Sequence, residues 1–169
     1  MSGQSTVPNP DGSRAVVIRS DEAEVLAGPS VQIRLLADSS ATGGALSTQR
    51  VTLASGSDGA APHLHRASSE LFYVLDGSVD VLVGEQVATG HEGDLVVVPP
   101  GLAHAFAASA GHPADLLVVI TPGGERFEYF RHLGRIAAGA ATPESLLEVQ
   151  DRYDTHFLAS QVWREARAR

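Results

Sequence analysis

The chain has 169 residues, of which 43% are hydrophobic, and this fits one soluble domain with a sizeable core. Its 20 acidic and 12 basic residues give a net charge of −8, which argues against a nucleic-acid partner held by its phosphates. Every basic residue is an arginine and cysteine is absent, so the composition excludes lysine Schiff-base chemistry, thiol nucleophiles, thiolate metal ligands and disulfide bonds.

Residues 1–13 are the first predicted segment, a flexible N-terminal tail rich in Ser, Gly, Asn and Pro. The tail lacks the apolar core of a signal peptide. The longest strongly apolar run, Leu116–Ile120, has the length of a strand and is too short to span a membrane. Together with the lack of cysteine, these features predict a cytoplasmic protein without a membrane partner.

Residues 14–121 predict an antiparallel β-barrel, because short apolar runs alternate with Gly, Pro, Asp and Ser. The pair Asp76-Gly77 separates two β-rich runs and predicts a tight hairpin turn, since both residues tolerate positive φ. The predicted strands are Ala15–Arg19, Val31–Ala37, Ala45–Leu53, Glu70–Leu75, Val79–Val83, Asp94–Val98, His104–Ala107 and Ala114–Thr121.

Residues 122–169 predict a helical C-terminal extension that packs on the barrel or on a dimer partner. A first helix begins near Phe127, with Gly134 as its expected stop. A second helix begins at Thr142-Pro143, where the threonine hydroxyl is expected to cap the helix. A third helical segment is predicted over Thr155–Arg167 from its apolar stripe.

Three histidines and one glutamate are the candidate metal ligands. His63 and His65 are two residues apart in an extended stretch, so their side chains share one face. Glu70 follows after a short loop, and His104 follows the Pro99-Pro100-Gly101 turn. If the sheet closes into a barrel, these four donors can meet at one divalent transition-metal ion, which the donor types leave open among Fe, Mn, Ni, Co, Cu and Zn.

These residues carry a resemblance to the cupin superfamily, whose two motifs have matching spacings here. The resemblance implies a mostly β fold, a single double-stranded β-helix or jelly-roll barrel, followed here by the C-terminal helices. Ser57 stands where the first motif opens with glycine, and Ala108 stands where the second often ends with asparagine. The matched positions are His63, His65, Glu70 and Gly77 in the first motif, and Gly93, Pro99, Gly101 and His104 in the second.

A narrower resemblance connects the tail of the chain with single-domain cupins of the flavonol dioxygenase (quercetinase) group. It is carried by Thr121–Gly124 and the following residues to Phe130, and by Arg152–Leu158. The resemblance implies a dioxygenase that acts on a small aromatic or enolisable, flavonol-like molecule. Glu70 would then be both metal ligand and catalytic base, and a planar substrate would lie against Phe72, Val74 and Phe106.

Other functions fit the same residues. A redox-neutral cupin, such as an isomerase or a polyketide cyclase, would use the metal to polarise a carbonyl while Glu70 moves a proton. A non-catalytic metal-dependent protein would only bind a small molecule. Phe72 and Phe106 are also ordinary core residues for a barrel. We expect a homodimer in each case, because an exposed sheet edge needs covering.

Overall fold

The fold is seen in a computed structural model, which describes residues 4–8 and 14–168. It is mostly β, as predicted, with helices concentrated after residue 122. The strands are β1 Gln4–Pro8, β2 Arg14–Ile18, β3 Val25–Ala27, β4 Val31–Ala37, β5 Ser47–Leu53, β6 Asp58–Leu64, β7 Ser69–Val83, β8 Gln86–His91, β9 Leu95–Val98, β10 His104–Ala108, β11 Ala114–Thr121 and β12 His156–Phe157.

Ten of these strands form one curled sheet, which folds over so that its two halves face each other. In the first half the strand order is β9, β7, β11, β5, β4 and β3. In the second half the order is β8, β7, β10, β6 and β12. Every pairing is antiparallel, and β7 is shared, because its first part joins one half and its last part joins the other. This architecture is the jelly-roll of the predicted fold class.

The prediction of a hairpin at Asp76-Gly77 is wrong. The two residues lie inside β7, where the pairing with β11 shifts register between Asp115 and Leu116. Gly77 has a φ of 79°, and a Cβ there would lie 2.0 Å from the backbone oxygen of Pro113. Glycine therefore allows a bulge that bends one long strand from the first half of the sheet into the second.

The hydrophobic core lies between the two halves of the sheet. It receives Val51 and Leu53 from β5, and Leu116 and Val118 from β11, all almost fully buried. The opposite half contributes residues of β7 and β10. Alternate residues of each strand point inward, which follows from the two-residue period of a β-strand. Glu70 shares this inward face and is the position at which the apolar pattern is interrupted.

The N-terminal segment is paired where the structure describes it. Residues 4–8 form β1, which pairs antiparallel with β2 in a separate two-stranded sheet. The rest of the predicted tail, residues 1–3 and 9–13, lies outside the described residues.

The C-terminal extension is less helical than the sequence predicts. Helix α2 covers Phe127–Ala137 and continues through Gly134, its predicted stop. A short helix α1, Ser39–Thr42, follows β4, and it was not predicted. The other helical elements are a 3-10 helix at Pro143–Val149, α3 at Gln150–Tyr153 and α4 at Gln161–Arg167.

Two further expectations about this extension are wrong. The Thr142 side chain makes no capping hydrogen bond at the start of the 3-10 helix. The predicted third helix begins only after Ser160, whose hydroxyl accepts a hydrogen bond from the Trp163 N–H. The residues before it instead form β12, because they pair with the free edge of β6. Edge pairing satisfies backbone groups that a local sequence pattern cannot reveal.

The extension packs on the open side of the sheet through an apolar cluster. Leu35 of β4 meets Tyr129, Phe130 and Tyr153 there, and all four are buried. Within the described ranges, no helix is both long and apolar enough to cross a membrane.

Candidate metal centre

Three of the four predicted ligands lie on strands of the folded sheet, and the fourth directly follows one. His63 is near the end of β6 and lies directly opposite His104 of β10 in the antiparallel register. His65 is the first residue after β6, and Glu70 lies near the start of β7, in the other half of the sheet. Because the two halves face each other, the histidines and the glutamate meet between them.

The ligand atoms converge on one point. The Nε2 atom of His104 lies 2.6 Å from Glu70 Oε2, that of His65 lies 3.2 Å away, and that of His63 lies 3.8 Å away. One nitrogen or oxygen atom from each of the four residues lies within 4.8 Å of the others. All four side chains are buried, with at most 4% of any residue exposed. The structure therefore brings together the complete set predicted from the sequence.

The orientation of each imidazole is fixed from behind by a backbone carbonyl. The Nδ1 atom of His63 faces Ala61 O at 2.8 Å, and that of His104 faces Leu102 O at 2.9 Å. His65 Nδ1 faces the backbone oxygen of Asp154 in the same way. A carbonyl can only accept, so each Nδ1 is the donor and each Nε2 is directed at Glu70. Metal-bound histidines in proteins are oriented by such contacts.

The protonation of the site follows from these contacts. Burial raises the pKa of Glu70, but the hydrogen bonds with His104 and His65 and the nearby imidazole of His63 together outweigh burial and hold that pKa well below 4.5. Burial is the largest single effect on His104 and lowers its pKa, but the hydrogen bond and the charge of Glu70, together with the hydrogen bond to Leu102 O, outweigh burial and raise the net pKa. The pKa of His63 is lowered, mainly by burial. In the metal-free site, protonated His104 therefore donates a hydrogen bond from Nε2 to the Glu70 carboxylate.

The donor set fits a divalent transition metal. When the three imidazoles are neutral, their Nε2 lone pairs and the Glu70 carboxylate point at one buried spot and repel each other unless a cation lies among them. Imidazole nitrogens with one carboxylate oxygen suit Fe, Mn, Co, Ni, Cu and Zn. His63, His65, Glu70 and His104 could therefore hold one metal ion, whose identity the donor types leave open.

Sequence reasoning missed Asp154, which joins the C-terminal extension to the site. Besides its carbonyl contact with His65, its carboxylate accepts hydrogen bonds from the N–H groups of Arg66 at 2.7 Å and Ala67 at 2.9 Å. Asp154 has a φ of 48°, a left-handed conformation at the end of α3. The left-handed region is more accessible to Asp and Asn than to most residues, and Asp154 also lies in the stretch Arg152–Leu158 that carries the narrower resemblance.

Arg126 was also missed, although it lies in the stretch that carries the narrower resemblance. It immediately precedes α2 and is buried, with 5% of the residue exposed. Its guanidinium donates to Tyr153 O at 2.6 Å and to Thr155 Oγ1 at 3.1 Å. Arg126 thereby fixes the two residues on either side of Asp154.

The predicted substrate-pocket residues lie next to the site but are packed into the core. Phe72 and Val74 are fully buried, and 6% of Phe106 is exposed. The ring centroids of Phe72 and Phe106 are 5.2 Å apart, and the Phe72 ring is 6.2 Å from that of His104. These residues form the apolar wall beside the histidines, and contact with a substrate stays a prediction.

A comparison with protein families identifies the class of the barrel. Residues 49–120 match the family described as Cupin domain, and this stretch of the chain is a cupin domain. The match contains all four candidate ligands. No curated protein matches the chain. The resemblance to the quercetinase group therefore stays a prediction.

Solved structures agree with the cupin fold. An RmlC-like cupin from Shewanella frigidimarina is 20% identical, with a TM-score of 0.56 over 76% of this chain and 99% of that one. A predicted oxalate decarboxylase from Thermotoga maritima is 23% identical, with a TM-score of 0.55 over 62% and 97%. KdgF from Halomonas sp. is 20% identical, with a TM-score of 0.53 over 62% and 90%. At these identities the likeness supports the fold alone.

Proposed function

We propose that the protein is a metal-dependent cupin enzyme, a dioxygenase that acts on a small aromatic or enolisable molecule. The observation that carries this proposal is the convergence of three imidazole Nε2 atoms on Glu70 Oε2 in a buried site. Four protein ligands leave room for substrate or dioxygen on a metal of five or six coordination. A bound divalent metal would supply Lewis-acid and redox chemistry at this position.

Glu70 is the group proposed to move a proton. The histidines contact only its Oε2 atom, and no hydrogen bond to Oε1 is found within the described part of the chain. Oε1 is thus available to accept the proton of a substrate hydroxyl, which would give the enolate or phenolate form. The carboxylate is ionised at neutral pH because its pKa lies well below 4.5.

The surroundings favour a small and partly apolar substrate. Phe72 and Phe106 provide aromatic surface on the side of His104. His63 also has the ring of Phe157 at a centroid distance of 6.3 Å. The four ligand residues are buried, and burial strengthens electrostatic effects on a bound anion. A dioxygenase transfers both oxygen atoms to the product, so this proposal requires no separate reductant.

Oxygen uptake is the direct test. The purified protein is loaded with Fe, Mn, Co or Ni, and dioxygen consumption is followed with flavonols and catechols. We expect uptake with at least one metal and its loss in Glu70→Gln. Arg135→Gln, an exposed change on α2, is the matched control. Absence of uptake with every metal and substrate would refute the dioxygenase.

A redox-neutral reaction is the second candidate, because the free Oε1 atom of Glu70 would serve an isomerase or cyclase equally well as a base. Anaerobic incubation separates the two, since product would then form without oxygen. A metal-dependent protein that only binds a small molecule would show a ligand-dependent rise in Tm and no turnover in either atmosphere.

A homodimer in the cytoplasm remains part of the proposal. Support for the dimer comes from β9, an edge strand, whose outward side chains Leu95 and Val97 are each 56% exposed. Beside them on β7, Tyr73 is 39% and Leu75 is 36% exposed. An apolar face of this kind commonly marks an interface. Sedimentation equilibrium should give twice the chain mass, and Val97→Glu should give monomers.

A further inference from the structure

Arg126 is a buried cation with unused hydrogen-bond donors. Its two terminal nitrogens each make one hydrogen bond, to Tyr153 O and to Thr155 Oγ1. The Nε atom is also buried and has no hydrogen-bond partner among the residues that the structure describes. A guanidinium has more N–H groups than these two bonds use. Buried donors are nearly always satisfied, so an unsatisfied one requires an explanation.

In the described part of the chain, no carboxylate forms a direct ion pair with the guanidinium of Arg126. The nearby carboxylate of Asp38 accepts hydrogen bonds from the backbone N–H groups of Arg126 and Phe127, rather than from the guanidinium. The guanidinium instead lies over the rings of Tyr129 and Phe130, at 5.1 and 5.7 Å from their centroids. Burial of an unpaired charge is unfavourable, and an anion that reached it would be bound strongly.

Arg126 is connected to the metal site through Asp154. The two residues that it holds flank Asp154, whose backbone oxygen orients His65. Burial lowers the pKa of Arg126, and Glu70 is the charged group that opposes this effect most. Burial raises the pKa of Tyr129 to about 12, and this phenol is also affected by Arg126 and Glu70. The hydrogen bonds of Arg126 and the Asp154–His65 contact thus form one chain of contacts from the guanidinium to a candidate ligand.

We propose that Arg126 binds an anionic oxygen of the substrate, and that the substrate is a small carboxylate or enolate with a second oxygen directed at the metal ligands. This inference rests on the proposed metal-dependent function and specifies its substrate class. A divalent ion with one carboxylate leaves the site positive, and Arg126 adds a further positive charge. A purely structural role for Arg126 would account for its two hydrogen bonds but would leave Nε without a partner.

Ligand binding to the cobalt-loaded protein tests the proposal. Oxalate is the anionic probe with oxygens at both ends, and imidazole is a neutral probe that needs only the metal. Cobalt(II) absorption reports the binding of each. We expect Arg126→Gln to weaken oxalate binding at least tenfold, while imidazole affinity, measured with the site saturated with cobalt, changes by less than about twofold. Arg126→Lys should retain part of the oxalate affinity, and the exposed Arg135→Gln should retain all of it.

The outcomes separate this inference from the proposed function. Equal oxalate affinity in wild type and Arg126→Gln would overturn the role of Arg126 while the metal site stands. A wild-type protein that binds no cobalt would overturn both.

If Arg126→Gln is too unstable to be assayed, a crystal structure of the wild-type cobalt–oxalate complex tests the role of Arg126 instead. An oxalate oxygen should then lie about 2.7–3.0 Å from a guanidinium nitrogen. Oxygens that contact only cobalt and water would refute the proposal.

Discussion

Metal binding should displace a proton from His104, and the number of protons released per metal ion can be measured. In the metal-free protein both nitrogens of this imidazole face acceptors, Leu102 O at 2.9 Å and Glu70 Oε2 at 2.6 Å. The pKa of His104 lies above its ordinary value of 6.5, so at pH 6.5 more than half of the molecules carry the extra proton. A metal must replace that proton, and the affinity should fall about tenfold per pH unit well below this pKa.

The stability of the two forms should diverge with pH for the same reason. The raised pKa of His104 stabilises the metal-free fold below pH 6.5, and this contribution is lost as the pH rises through the folded-state pKa. The lowered pKa of Glu70 stabilises the fold above pH 4.5, and this contribution is lost as the pH falls through its folded-state pKa. The rise in Tm caused by metal should therefore grow from pH 5.5 to pH 8.

Calorimetry and NMR check this reasoning. Titration of metal into the metal-free protein at pH 6.5, in two buffers of different ionisation enthalpy, gives the number of protons released. His104 alone should account for more than half a proton per metal bound. In Glu70→Gln the pKa of His104 should fall, because burial then acts without the hydrogen bond and the charge of the carboxylate. An unchanged His104 pKa in that variant, or no proton release by wild type, would refute the argument.

Two further predictions concern the residues that shape the site. Gly77→Ala should destabilise the fold by more than about 2 kcal/mol, because the new Cβ would clash with the backbone oxygen of Pro113 and the residue would also keep a positive φ. Gly93→Ala should cost only about 1 to 2 kcal/mol, because Gly93 has a φ of 87° but its Cβ would meet no atom within 4 Å. Equal urea midpoints for the two variants would contradict this. Asp154→Ala should weaken metal binding about tenfold by freeing the loop before β7, and the exposed Asp151→Ala should leave the metal affinity unchanged. A chelator competition in which both variants match wild type would rule out the orienting role.

The candidate ligands could be predicted because their signal is local. His63 and His65 share a face by the two-residue period of a strand, and the spacings to Glu70 and His104 match two cupin motifs. The strands Val31–Ala37 and Ala114–Thr121 were predicted with the bounds that the structure gives. In each case the residue pattern alone carries the information, since apolar alternation reflects burial on one side of a sheet.

The wrong predictions depend on contacts between distant segments. Asp76-Gly77 permits a tight turn and a bulge equally well, and the choice is made by β11, which pairs across the bend. The residues around His156 have no strong strand pattern, and the free edge of β6 determines their conformation. Propensity is a weak preference that such pairings readily override.

The sequence by itself determined the class of domain, the four side chains able to hold a metal, and the exclusion of thiol and lysine chemistry. Only the tertiary structure decided how those side chains are held, because the carbonyl that orients His65 belongs to Asp154, far away in the chain. It also decided that Arg126 is buried and holds the residues on either side of Asp154. Burial and backbone contacts depend on the whole packed chain, whereas ligand identity is a property of single residues.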